Sequence, residues 1–248
     1  AGTPEQRLED LHQAFALPDI DAVWCLRGGY GCAQLVTDLD WALLRQASPR
    51  PLIGFSDLSI LLDAFRQHGL PAIHGPVASA LGHQVLAAPG GQRERLASMQ
   101  ALWRLLDGQP QELPVRHVSG PAQHLEGRLQ GGNLTALASA CGSAAQLHLA
   151  DDAILILEDV GEPYYRLERA LWQLVHSGAL DQAGALCLGT FEGCTSYGEQ
   201  SLADIVADVT SPLNLPLFTD LPVGHGLINR PWQYGKRGRI EGNTLVFS

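Results

Sequence analysis

Asp21-Ala22-Val23-Trp24-Cys25-Leu26-Arg27-Gly28-Gly29-Tyr30-Gly31 and Pro51-Leu52-Ile53-Gly54-Phe55-Ser56-Asp57 decide how this chain folds. Each is a short apolar run that stops at glycine or at a polar turn residue, as strands do where they enter loops. Behind the second run, Leu58, Leu61, Leu62 and Phe65 fall on one face of a helix. That order predicts βαβ units, hence a parallel sheet. Upstream, Thr3-Pro4-Glu5-Gln6 reads as a capping box with proline at the first helical position, and Leu8, Leu11 and Phe15 give the helix an apolar face. Downstream, residues 84–124 hold a Gly/Pro-containing loop, a helix around Leu96 to Leu106, and a polar stretch with Pro110, Pro114 and Pro121 that marks a domain boundary. The alternation then resumes, with strands at Ala153 to Leu157 and Ala185 to Thr190, helices at Arg166 to His176 and Leu202 to Val209, and a hairpin at Gly242-Asn243. The expected architecture is α/β in two domains, residues 1–115 around a parallel sheet and residues 116–248 of mixed α/β type.

Composition bounds the function. The chain has 248 residues, with 16 Lys+Arg against 26 Asp+Glu and a formal net charge of −10. Hydrophobic residues make up 46% and charged residues 17%, enough for one large core or two small ones and unlike a disordered chain. The scattered cations argue against nucleic acid as a partner. Apolar runs such as Ala153 to Leu157 fall far short of the roughly 20 residues needed to span a membrane, and the first residues lack a signal peptide's apolar core. Cys25, Cys32, Cys141, Cys187 and Cys194 form no CxxC pair. They read as free thiols, most of them buried, in a reducing compartment. His, Cys and carboxylates do not cluster at ligand spacing, so no metal site is expected.

Three segments place reactive side chains where strands or loops end. Gly54-Phe55-Ser56-Asp57 delivers a serine to the start of a helix. Ala153 to Leu157 runs into Glu158 and Asp159, and Pro222-Val223-Gly224-His225-Gly226 holds a histidine between glycines. Taken singly, these are an N-cap, a solvated strand end and a loop histidine. Together they supply what serine catalysis requires: a nucleophile, a base to take its proton, and a carboxylate to hold the base in the useful tautomer. The order Ser, acid, His is that of α/β-hydrolases, but Leu58 stands where G-x-S-x-G has its second glycine. The glycine-rich turn fails the dinucleotide pattern G-x-G-x-x-G at Gln34, leaving a structural tight turn as the better alternative.

The combination of Leu26-Arg27-Gly28-Gly29-Tyr30-Gly31, Ile53-Gly54-Phe55-Ser56-Asp57, His74-Gly75-Pro76, Glu126-Gly127 with Gly131-Gly132-Asn133-Leu134, Leu157-Glu158-Asp159-Val160-Gly161-Glu162 and Gly224-His225-Gly226 closely resembles the LD-carboxypeptidase family of serine peptidases. That family includes muropeptide LD-carboxypeptidases and microcin-C-resistance peptidases. The resemblance implies Ser56 as nucleophile, His225 as general base and then acid, and Glu158 as the orienting carboxylate. It further implies an oxyanion hole from the backbone N–H groups of Asp57 and of the Gly28-Gly29 turn. The N-terminal domain would be a flavodoxin/Rossmann-like sandwich.

The implied reaction removes C-terminal D-alanine from murein tetrapeptide during cell-wall recycling in the bacterial cytoplasm, with no cofactor and with a homodimer as the working form. Arg27 and Arg230 are candidates for the substrate's terminal carboxylate. Asn133 either shapes the cleft or opens the helix that follows it, and Tyr164, with Tyr165 and Arg166, either lines the groove or begins a helix. The alternatives are a peptidyl-adenylate hydrolase of the same family and a non-catalytic muropeptide-binding protein. Family members begin with about two further strands and a helix ahead of the segment that here reads Ala1-Gly2-Thr3-Pro4-Glu5, so the expectation is either a fragment with a truncated first sheet, whose exposed edge would be prone to self-association, or a sheet completed in some other way.

Overall fold

A computed structural model describes residues 2–46, 50–81, 91–121, 125–196 and 198–248. Parts of the predicted 84–124 loop region, residues 84–90 and 122–124, lie outside this set. The chain opens with α1 (Pro4–Ala16), where Thr3 Oγ1 accepts from Gln6 N and Gln6 Oε1 from Thr3 N, the predicted capping box. There follow β1 (Val23–Trp24), α2 (Trp41–Gln46), β2 (Leu52–Gly54), α3 (Ser59–Gln67), β3 (Ala72–His74) and α4 (Gln92–Leu106). Strands β1, β2 and β3 pair in parallel, in that order, with β1 at the edge.

The second half supplies β4 (Gln111–Pro114), β5 (Arg116–Ser119), β6 (Leu125–Asn133), α5 (Leu134–Ser139), β7 (Ala153–Val160), α6 (Tyr164–His176), β8 (Ala183–Glu192), α7 (Leu202–Thr210), β9 (Leu217–Thr219), β10 (Trp232–Gln233), β11 (Arg237–Glu241) and β12 (Thr244–Phe247). Eight of the strands form one sheet in the order β4-β12-β11-β6-β7-β8-β9-β5. Its centre, β6 to β9, is parallel and its flanks are antiparallel. Two short strands cross the expected divide at 115/116: β4 joins the second sheet, and β10 adds antiparallel to β3 in the first.

Helix α3 explains how the halves hold together. It is buried from Ser59 through Phe65, not along one stripe, as befits a helix packed on the first sheet and also facing β6 and α5. Its one buried charge, Asp63, accepts from Arg66 Nε, Gln67 Nε2, Gln130 Nε2 and His148 N at 2.9–3.1 Å, so the carboxylate is compensated from both halves of the chain. A second apolar cluster gathers Leu167, Leu171 and Leu174 of α6 against Leu155, Leu157 and Leu186 of the sheet. Strand β7 reaches Val160, beyond the predicted end at Leu157, and is buried through Asp159. Glu158 and Asp159 therefore lie in the protein interior, with neither at a solvated strand end.

Candidate active site

Parallel strands of both sheets point their carboxyl ends at one place. Strand β2 ends at Gly54, and Phe55 leads in extended conformation to Ser56, which sits at φ +69°, a left-handed conformation rare for a residue with a side chain. The serine caps neither the short turn Ser56–Leu58 nor α3. Its Oγ lies 3.1 Å from His225 Nε2. The hydroxyl of Ser59 donates to the Ser56 carbonyl at 2.7 Å and accepts from Asn133 N at 3.0 Å, which ties the strained turn to β6. A Cβ at Gly132 (φ +130°) would lie 2.1 Å from Ser59 Oγ, so only glycine leaves room for that tie. Gly28 comes equally close to the nucleophile: a Cβ there would be 2.8 Å from Ser56 Cβ. The Asp57 carboxylate accepts from Cys32 N at 2.9 Å, fastening the glycine-rich turn to the serine's turn.

Glu158 stands on β7 where pairing with β8 shifts register between Leu157 and Asp159, an irregularity of the kind that re-aims side chains beside active sites. Its Oε2 lies 2.6 Å from His225 Nδ1. The histidine loop approaches this closely because Gly224 (φ +115°) has no side chain: a Cβ would fall 2.7 Å from Glu158 Oε2. Val223 O accepts from Thr190 N at 2.7 Å, and Gly224 N donates to Asn229 Oδ1 at 3.1 Å, so the loop is fastened on both sides of the imidazole.

The electrostatics favour one tautomer. Buried Glu158 accepts from Nδ1–H, which leaves Nε2 as the acceptor facing Ser56 Oγ–H. Burial pushes the Glu158 carboxyl up, opposed by the bond to His225 and its charge. Burial also draws His225 down, but its hydrogen bond to Glu158, the charge of that carboxylate and that of Asp159 outweigh this, and the imidazolium is held above its ordinary 6.5. Nearby His74 is fully buried and stacked on Trp232, and burial, with the charge of His225, presses it down to about 3. It stays neutral and adds no second positive charge.

A cleft of about 430 Å³ opens over Ser56, walled by Asp57, Asn133, Thr135, Asp159 and Glu162. Asp159 is 2% exposed and accepts from Asn133 Nδ2, Thr135 N and Thr135 Oγ1 at 2.7–3.0 Å. Asn133 Oδ1 accepts from Ala136 N as the cap of α5, and the residue also walls the cleft. Arg27 is exposed on the turn before Gly28. Tyr164 begins α6 and packs against the second apolar cluster. The Arg230 guanidinium donates to Ala97 O at 2.9 Å and borders a different groove, with Arg104. Ser59, Thr135 and Asp159 were not singled out from the sequence as site residues.

Among the described residues, no group of three or more His, Cys, Asp or Glu could hold a metal ion, and no helix is long and apolar enough to cross a membrane. The five cysteines are free. Burial pushes Cys25 and Cys187 up to about 12, and Cys32 is also raised, so these thiols are poor nucleophiles.

Strand ends that converge on a strained serine, paired through an imidazole to a buried glutamate, define a serine hydrolase of mixed α/β fold. Residues 1–75 match the LD-carboxypeptidase N-terminal domain and residues 126–240 the LD-carboxypeptidase C-terminal domain. The chain belongs to the LD-carboxypeptidase family of serine peptidases. It is 58% identical over 246 residues to the murein tetrapeptide carboxypeptidase of Pseudomonas aeruginosa, covering 99% of this chain and 80% of that protein. The crystal structure of muramoyltetrapeptide carboxypeptidase from Oxalobacter formigenes superposes with a TM-score of 0.82 at 28% identity, over 99% of this chain and 84% of that one. The microcin C7 self immunity protein MccF superposes with a TM-score of 0.84 at 18% identity, over 100% of this chain and 81% of that one, a likeness of fold.

Proposed function

We propose that this LD-carboxypeptidase releases C-terminal D-alanine from murein tetrapeptide, with Ser56 as nucleophile, His225 as base and acid, and Glu158 as the carboxylate that orients it. The observation that carries this reading is the continuous relay from Glu158 Oε2 through His225 to Ser56 Oγ, at 2.6 and 3.1 Å. Ser56 Oγ attacks the amide carbonyl carbon while its proton passes to His225 Nε2. The carbonyl electron pair moves onto oxygen, facing the N–H groups of Asp57 and of the Gly28-Gly29 turn; one such donor is worth about 10²–10³ in rate. The C–N bond then breaks, its nitrogen takes the proton from Nε2, and D-alanine leaves. Water, activated by the same imidazole, hydrolyses the Ser56 ester and returns the enzyme.

Arg27, exposed at the turn, is available to carboxylates of the bound peptide, and Asn133 shapes the wall against which it lies. The proposal includes a homodimer acting in the bacterial cytoplasm; the free thiols suit such a reducing compartment. The test is mass-spectrometric measurement of amino acid release from murein tetrapeptide, from the same peptide ending in L-alanine, and from an aminoacyl adenylate. Release from the D-alanine peptide alone supports the reading. Turnover of the adenylate alone would assign the chain to the nucleotide-conjugate branch, and tight binding without turnover would make it a muropeptide-binding protein.

A further inference from the structure

A smaller pocket, of about 150 Å³, lies on the His225 side of the relay. Its walls include His225, Phe55, Val77, Ala80, Leu227 and Arg95. Apart from His225, Arg95 is the charged residue among its described lining; the rest is apolar or neutral. The pocket is built into the catalytic frame. Ala78 N and Ser79 N donate to Cys25 O and Leu26 O at 3.0 and 2.9 Å, joining one wall to the strand that leads into the Gly28 turn. On the other wall, Ser98 Oγ of α4 accepts from Asn229 N at 3.1 Å, so the helix that bears Arg95 is fastened to the loop that bears His225.

The chemistry of the leaving group decides which pocket takes it. His225 must hand its proton to the departing nitrogen, and in a C-terminal residue that nitrogen is separated from the free carboxylate by a single carbon. The carboxylate therefore comes to rest on the histidine's side of the scissile bond. The larger cleft is unsuited to it, since Asp57, Asp159 and Glu162 wall that cleft and no Lys or Arg is among its described lining residues. A carboxylate there would meet like charge. The smaller pocket offers a guanidinium for the carboxylate and apolar surface for a methyl group.

We propose that this pocket is the leaving-group subsite and that Arg95 binds the terminal carboxylate of the departing D-alanine, which makes the enzyme a carboxypeptidase in preference to an endopeptidase. The inference rests on the carboxypeptidase reading above. It shifts the terminal-carboxylate role away from Arg230, which borders a different groove, and away from Arg27, which is not among the described residues lining this pocket.

The test compares kcat/KM for murein tetrapeptide with that for the same peptide ending in D-alaninamide, in the wild type and in Arg95→Gln, Arg95→Lys and Arg27→Gln. A charge-assisted contact predicts that the wild type prefers the free acid by about 10–10²-fold. Arg95→Gln is expected to bring the ratio near one by slowing the acid alone, with Arg95→Lys between. Because the ratio is taken within one protein, a partly unfolded variant does not distort it. A wild-type ratio retained in Arg95→Gln, or a collapse seen in Arg27→Gln instead, overturns the assignment. Equal turnover of acid and amide by the wild type overturns it too, while the carboxypeptidase reading stands; turnover of neither peptide overturns that reading itself.

Discussion

Ser56 carries an ordinary alcohol whose reactivity depends on its neighbours. Its φ of +69° lifts Oγ out of the helix-capping position open to a serine at a strand–helix junction and presents it to His225. For the imidazole to act as base it must be neutral. Net of burial, Glu158 and Asp159 hold it above 6.5, so the acid limb of the kcat/KM profile should fall above that value. In Glu158→Gln the charge that stabilised the imidazolium is gone. The limb should shift to lower pH, while activity drops by about 10⁴ because the tautomer is no longer fixed. A pH–rate profile checks both; a limb that stays in place contradicts the pairing. Ser56, Glu158 and His225, which the structure brings together, were visible in the sequence as polar residues where an apolar strand ends or a loop is flanked by glycine. Asp159 was visible only as a second carboxylate, and Ser59 not at all. Their roles depend on bonds to Asn133 and Thr135, far away along the chain.

At the scale of elements, strand ends and one clamp set the relay's geometry. Asn133 pairs with Glu158 in the register of β6 and β7, and Ser59 Oγ joins Asn133 N to the Ser56 carbonyl. The serine's turn and the glutamate's strand are thus linked through one hydroxyl. Ser59→Ala should lower kcat by about 10²-fold with KM little changed, the penalty for a small misplacement of reacting groups; steady-state kinetics show which parameter moves. Gly132→Ala would set a methyl against that hydroxyl at positive φ, with an expected loss of about 1–3 kcal/mol in urea denaturation. Periodicity located the elements well. It ended β7 at Leu157, however, because two carboxylates interrupt the apolar run, and what stabilises them inside is a hydrogen bond from His225 to Glu158 and donors from Asn133 and Thr135 to Asp159.

At the scale of the molecule, the relay works only if the two sheets keep their places. Asp63 gathers donors from both halves, and β10, which follows the histidine loop, docks on β3 beside His74. Trp232 on β10 is fully buried, so Trp232→Ala should destabilise the fold by about 3–5 kcal/mol. A urea titration followed by circular dichroism should show one transition at a lower midpoint. The exchange of β4 and β10 was not legible, since strands of four and two residues carry too little pattern to reveal their partners. The central claim concerns Ser56 in this assembled frame. It is tested most directly by mass-spectrometric detection of D-alanine released from murein tetrapeptide by the chain and by Ser56→Ala. The account predicts steady release from the first and a loss of about 10⁴-fold or more in the second; equal release from both would contradict it.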